Sequence, residues 1–216
     1  MVNPLIIAAL LGLKHALDPD HLAAVFSMTL SGKVKTSSAA KLGFSWGLGH
    51  SASMILLGLP IVLFSSSFPS WFYTSAELGV GLVIVYLGLK LFFQWFKGEF
   101  HPHNLQNLVK THVDHRKSHK KAGLMGLLHG TGGSYPAALL MIASFSTQIT
   151  AAVGLLVFVL LTIASMTVVT ALFSCITLHH LAMHVLDRLI LPLFIVVTLI
   201  FGATYIQVAG NTLGIW

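Results

Sequence analysis

Apolar residues run along this chain in blocks too long and too even for the buried stripe of a surface helix. Leu42–Ala76, Ala122–Leu186 and Leu189–Trp216 contain no Asp, Glu, Lys or Arg. About 20 apolar residues cross a bilayer as one helix, so the middle block holds two spans. With the block that starts at Pro4 and the one around Val80–Phe96, the pattern predicts six transmembrane helices. They fall at about 4–30, 41–66, 75–97, 122–147, 149–177 and 187–209.

The polar positions sort the connections. Lys33, Lys35 and Lys41 mark 31–40, and Lys97, Lys110, Arg116, Lys117, Lys120 and Lys121 mark 98–121. Arg188 follows 178–186, whereas 67–74 and the turn near Thr147–Gln148 carry no Lys or Arg. Basic residues stay on the cytoplasmic side, so both termini are expected outside the cell (cytoplasmic) membrane. The first apolar segment lacks a basic leader and carries Asp and His, so no cleavable signal is expected.

The halves echo each other. Gly12-Leu-Lys-His15 with Ala23-Ala24-Val25 matches Gly126-Leu-Leu-His129 with Ala137-Ala138-Leu139 at a constant offset of 114 residues. A weaker echo pairs Ser51-Ala-Ser-Met54 with Ile163-Ala-Ser-Met166. Three helices per half is an odd number, so the second copy must be inverted in the membrane, a recurrent transporter plan. The expectation is therefore an all-α integral membrane protein of six transmembrane helices built from two inverted three-helix repeats. Residues 1–97 form the first repeat, 98–121 a His-rich basic cytoplasmic loop, and 122–216 the second repeat.

Composition narrows the function. Of 216 residues, 56% are hydrophobic and 8% charged, against about 25% charged in soluble domains. A single cysteine, Cys175, excludes an intrachain disulfide or a Cys-x-x-Cys redox pair. The net charge of +6 reads as membrane topology rather than nucleic-acid binding. Without a Gly-x4-Gly-Lys-Ser/Thr motif, ATP hydrolysis by a P-loop is excluded. No enzyme activity and no resident cofactor are expected; the lipid bilayer is the first partner.

One stretch breaks the apolar rule: His15-Ala-Leu-Asp-Pro-Asp20-His21 puts four ionisable residues inside a predicted span. Such residues cost about 2.5–3.5 kcal/mol each on insertion scales and mark ion or proton sites. Imidazoles and carboxylates together suit a borderline divalent transition metal. On an ideal helix His15 and His21 lie roughly 120° apart around the axis. Pro19 removes the hydrogen bond to the His15 carbonyl and pushes Asp18 towards extended backbone. A local break there would let His15, Asp20 and His21 converge, with Asp18 as a further donor. Irregular backbone at that depth must line a cavity inside the bundle.

Three further features surround this motif. Trp46-Gly-Leu-Gly-His50-Ser51 adds His50 as a ligand, on a helix whose Gly43, Gly47 and Gly49 allow close approach. His129-Gly-Thr-Gly-Gly-Ser-Tyr135 is expected to be a second unwound segment facing the first, with His129 a ligand or transit site. The 98–121 loop holds His101, His103, His112, His115, His119 and Asp114, a composition that buffers metals; His179, His180 and His184 are candidates to join it. Lys14 has Asp18 four positions on as its expected partner, and Lys90 reads as a snorkelling anchor.

With those residues in view, the chain is similar to the nickel/cobalt transporter family (NiCoT, or NicO). The likeness rests on His15, Asp20 and His21 as a His-x4-Asp-His motif and on Leu48-Gly-His50-Ser51 in the next helix. The shorter, six-helix UreH-like branch, linked to nickel supply for urease, resembles it most. That resemblance implies uptake of Ni²⁺, sometimes Co²⁺, with His15, Asp20 and His21 needed for transport. It also implies a cytoplasmic nickel chaperone as a candidate partner. The chain departs from the larger eight-helix members in its length, its outside N-terminus and its Pro19. Two other readings compete: efflux of Ni²⁺ or Co²⁺, and a membrane metallochaperone or sensor that binds metal without transport.

Overall fold

The computed structural model describes residues 3–30, 36–64, 69–98, 115–177 and 186–215, and the regular structure among them is all helical. The first predicted helix is two: α1 (Pro4–His15) and α2 (Pro19–Leu30). α1 starts where the Asn3 side chain accepts the Leu5 N–H at 3.0 Å and Pro4 takes the first turn. It stops because Pro19 has no N–H for the His15 carbonyl. Instead the Asp18 N–H reaches that carbonyl at 3.2 Å and the Leu17 N–H goes to Lys14 at 2.8 Å.

α3 (Thr36–Phe64), α4 (Ser70–Phe96), α5 (His115–Ser144) and α6 (Gln148–Thr177) follow, and a π-helical turn at Leu186–Ile190 leads into α7 (Leu191–Leu213). α3, α4, α6 and the Arg188–Leu213 stretch are long and apolar enough to cross a membrane. Large apolar side chains such as Leu56, Phe64 and Leu193 face outwards. Patches of that kind are unusual on a soluble monomer and ordinary against lipid tails.

Two expectations need correction. α5 begins at His115, inside the predicted 98–121 loop. Its first turns carry Arg116, Lys117, Lys120 and Lys121, and Lys and Arg are good helix formers. The segment His129–Tyr135 is not unwound: α5 runs through it and through Pro136 to Ser144. Its glycines serve helix contact instead. A Cβ at Gly126 would overlap the Trp46 carbonyl, and one at Gly130 the His50 carbonyl. In return, a Cβ at Gly49 would overlap the Gly123 carbonyl. α3 and α5 therefore touch backbone to backbone, as small residues permit.

α3 is central, packed on α5 and α6, while α1 lies along α6 and α4 along α7. Two apolar clusters form the interior. One gathers Met54, Val62, Met141 and Leu155; the other gathers Leu42, Trp46, Leu87 and Met166. His50 stands on α3 between Trp46 and Met54, so the polar site occupies the seam between the clusters. Residues 99–114 and 178–185 lie outside the described residues, and with them His101, His103, His112, Asp114, His179, His180 and His184.

Candidate metal site

The α1–α2 break brings four imidazoles together. His15 and His21 have ring centroids 4.4 Å apart, His21 and His50 4.9 Å, and His21 and His129 4.7 Å. His21 and His50 are each 1% exposed and His129 4%. An unbroken helix would hold His15 and His21 on different faces. The turn at 16–18 removes that separation, as the position of Pro19 predicts.

The carboxylates orient the rings. Asp20 accepts from His21 Nδ1 at 3.0 Å with one oxygen and from His129 Nε2 at 2.8 Å with the other. Asp18 accepts from His15 Nδ1 at 3.0 Å. His15 Nε2 and His50 Nε2 are 3.0 Å apart, which requires one proton between them. One assignment satisfies every contact with four neutral rings. His15 donates from Nδ1, His50 from Nε2 to His15, His21 from Nδ1 and His129 from Nε2. That leaves lone pairs on His21 Nε2, His50 Nδ1 and His129 Nδ1, and the first two are fully buried without a hydrogen-bond partner among the described residues.

An imidazole that donates one N–H to a carboxylate and keeps its other nitrogen free is arranged as metal-ligating histidines are. Such a nitrogen, buried without a partner, is otherwise costly. The donor atoms of His15, His21 and His50 lie within 4.8 Å of one another, and so do those of Asp20, His21 and His129. All six residues singled out in the sequence thus converge, Asp18 through its hold on His15. The expected Lys14–Asp18 pair does not form. α1 ends at His15, the one-turn spacing is lost, and the nearby imidazole takes the carboxylate.

The freed end of α1 is capped from α6. Ser165 Oγ donates to the Leu13 carbonyl at 2.7 Å, in place of the Leu17 N–H that has moved to Lys14. Thr162 Oγ1 lies 3.3 Å from the Gly12 carbonyl. Backbone groups freed within a bundle need such partners. Sequence reasoning did not assign these hydroxyls, although Ser165 had surfaced in the internal echo.

It also passed over Glu77, an ionisable residue inside a predicted span and so a signal in its own right. A Cβ at Gly132 would come 3.9 Å from the Glu77 Cα. Gly132 is three residues beyond His129, about 4.5 Å along the α5 axis.

Comparison with known proteins agrees with a membrane protein. The family described as "Cytochrome C biogenesis protein transmembrane region" matches residues 6–203. The chain is 29% identical over 150 residues to the urease accessory protein UreH of Bacillus sp. (strain TB-90), an alignment covering 67% of this chain and 64% of that protein. It thus spans less than two thirds of the length of the curated relative it matches. No solved structure matches.

Proposed function

We propose that this chain, which belongs to the cytochrome c biogenesis protein transmembrane region family, is a multi-pass secondary transporter that takes up Ni²⁺ across the cytoplasmic membrane. One observation carries the reading. Three buried imidazoles and the half-buried His15 gather around a proline-broken helix; two carboxylates orient three of the rings, and two buried ring nitrogens are left without a partner. Nitrogen ligands about 2.1 Å from a metal and at right angles to each other lie roughly 3.0 Å apart. The His15–His50 separation of 3.0 Å suits such a pair once the proton they share has moved to His50 Nδ1. The similarity to a urease accessory protein favours nickel as the cargo, with Co²⁺ a secondary substrate.

Within these 216 residues the single cysteine leaves no intramolecular dithiol for electron relay. The cargo is a cation, and the membrane potential drives it inward. A dication gains about 4.6 kcal/mol per 100 mV, enough for concentrative uptake without a coupled ion.

The reading includes six passes, with α1 and α2 sharing one, and both termini outside. It also includes two inverted repeats, α1–α2, α3 and α4 against α5, α6 and α7, and the helix contacts support the pairing. Exchanging the repeats turns the α3–α5 contact into the α1–α6 contact, and the α4–α5 contact into the α2–α7 contact; all four occur. Individual residues follow. Gly12 abuts the Phe158 carbonyl as Gly126 abuts that of Trp46. His15 meets the Phe158 ring at 5.4 Å as His129 meets Trp46 at 6.1 Å.

Nickel accumulation in cells tests function and direction together. Expression should raise cell-associated radioactive nickel, and His15→Ala, Asp20→Ala and His21→Ala should each abolish the gain. Lowered cellular nickel would mean efflux. Intact binding by the purified protein without accumulation would mean a metallochaperone.

A further inference from the structure

We infer that the buried cluster holds its ion in two alternating positions that share His21. This rests on the reading of the site as an ion path. The donors do not form one sphere. His15, His21 and His50 make one compact group, and Asp20, His21 and His129 make another. His21, 1% exposed with its Nε2 unpartnered, belongs to both. His50 Nδ1, equally buried and unpartnered, stands beside the first group. The neutral His21 ring has one lone pair and so ligates one dication at a time, and the mutual repulsion of two dications packed this closely in a low dielectric would be severe. The positions are therefore occupied in turn.

The two positions differ in what they connect. The first draws on α1, α2 and α3, all in the N-terminal half. The second draws on α2 and on His129 of α5, across the boundary between the halves. An ion in the first position leaves α5 unligated, whereas one in the second ties α5 to the broken helix. Moving the ion exchanges His15 and His50 for Asp20 and His129 while His21 stays bound, so it never loses all its protein ligands at once. Charge changes as well: the first position offers three neutral rings, the second a carboxylate. At the second, the His129 Nε2 proton that now bridges to Asp20 moves to Nδ1 or leaves, as metal binding at histidine requires. Ion transfer is thereby coupled to the relative placement of the halves.

Nickel binding and X-ray absorption on the purified full chain in lipid nanodiscs test this. Wild type should bind one Ni²⁺ per chain. His50→Ala and His129→Ala should each still bind one, weakened by no more than about tenfold. The shell should hold a carboxylate in His50→Ala and three imidazoles without one in His129→Ala. The double variant and His21→Ala should bind at least about 100-fold more weakly. Both single variants should lose uptake despite binding. His50→Gln and His129→Gln, which keep a hydrogen-bonding side chain, should reproduce the single-variant results if folding is not the cause. Two ions bound at once, or single variants as weak as the double with four imidazoles in the wild-type shell, would overturn the two positions and leave the transport reading intact. No nickel binding by wild type would overturn both.

Discussion

Asp20 serves two histidines at once, and this sets what its amide variant should do. Asn offers one acceptor oxygen in place of two, so either His21 or His129 loses its orientation. Outer partners of metal-binding histidines are worth about 10–100-fold in affinity or activity. Asp20→Asn should lower the initial rate of nickel uptake by at least that factor, because Asp20 is also a donor of the second position. Asp18→Asn should cost less, because Asp18 is 35% exposed and holds only His15; a larger loss for Asp18→Asn would contradict this ranking. Glu77 invites a different test. It lies one turn from the level of His129, outward in the proposed topology, so Glu77→Gln should raise the KM for nickel with little change in maximal rate. A fall in maximal rate at constant KM would place it elsewhere in the cycle. The residues that converge in the cluster were legible in the sequence because ionisable groups inside a span are expensive. Which carboxylate holds which ring was not, since partner choice depends on the turn that ends α1.

At the scale of elements, the break at Pro19 matters most. Ala at this position restores the N–H that the His15 carbonyl lacks and favours a continuous helix. Pro19→Ala should therefore keep or raise thermal stability while weakening nickel binding about tenfold or more. A variant that binds nickel normally would show that the break is dispensable. The α3–α5 contact makes a paired prediction. Gly126→Ala drives a methyl into the Trp46 carbonyl, whereas nothing lies within 4 Å of a Cβ at Gly79. Gly126→Ala should lower the melting temperature in detergent and abolish uptake. Gly79→Ala should be neutral or slightly stabilising, by up to about 1 kcal/mol. Proline announced the break in α1 correctly. The glycines of α5 misled, because the same residue permits both unwinding and close approach, and only the facing α3 backbone decides between them.

At the scale of the whole molecule, the all-helical, multi-pass character could be read from hydropathy, because a bilayer demands long apolar helices. The starts of α3, α4 and α5 were less legible. Each precedes its apolar block by several polar or amphipathic residues that still form helix, as His115–Lys121 does. How the halves pack was not legible at all. It rests on glycine contacts between residues more than 70 positions apart, such as Gly126 with Trp46. The proposed pair of repeats puts both ends on one side, and the basic loops make that side the outside. Epitope tags at both ends of the chain should therefore be reached by antibody on intact cells. Tags on opposite faces of the membrane would leave an odd number of passes and contradict the paired repeats.

The central claim is that this chain alone moves nickel through the four-histidine site. Nickel accumulation by sealed liposomes holding only the purified protein tests it most directly. With a negative interior potential, wild type should concentrate radioactive nickel, collapse of the potential should abolish the gradient, and His21→Ala should be indistinguishable from empty liposomes. Accumulation that survives in His21→Ala, or wild-type liposomes that bind nickel without internalising it, would contradict the claim.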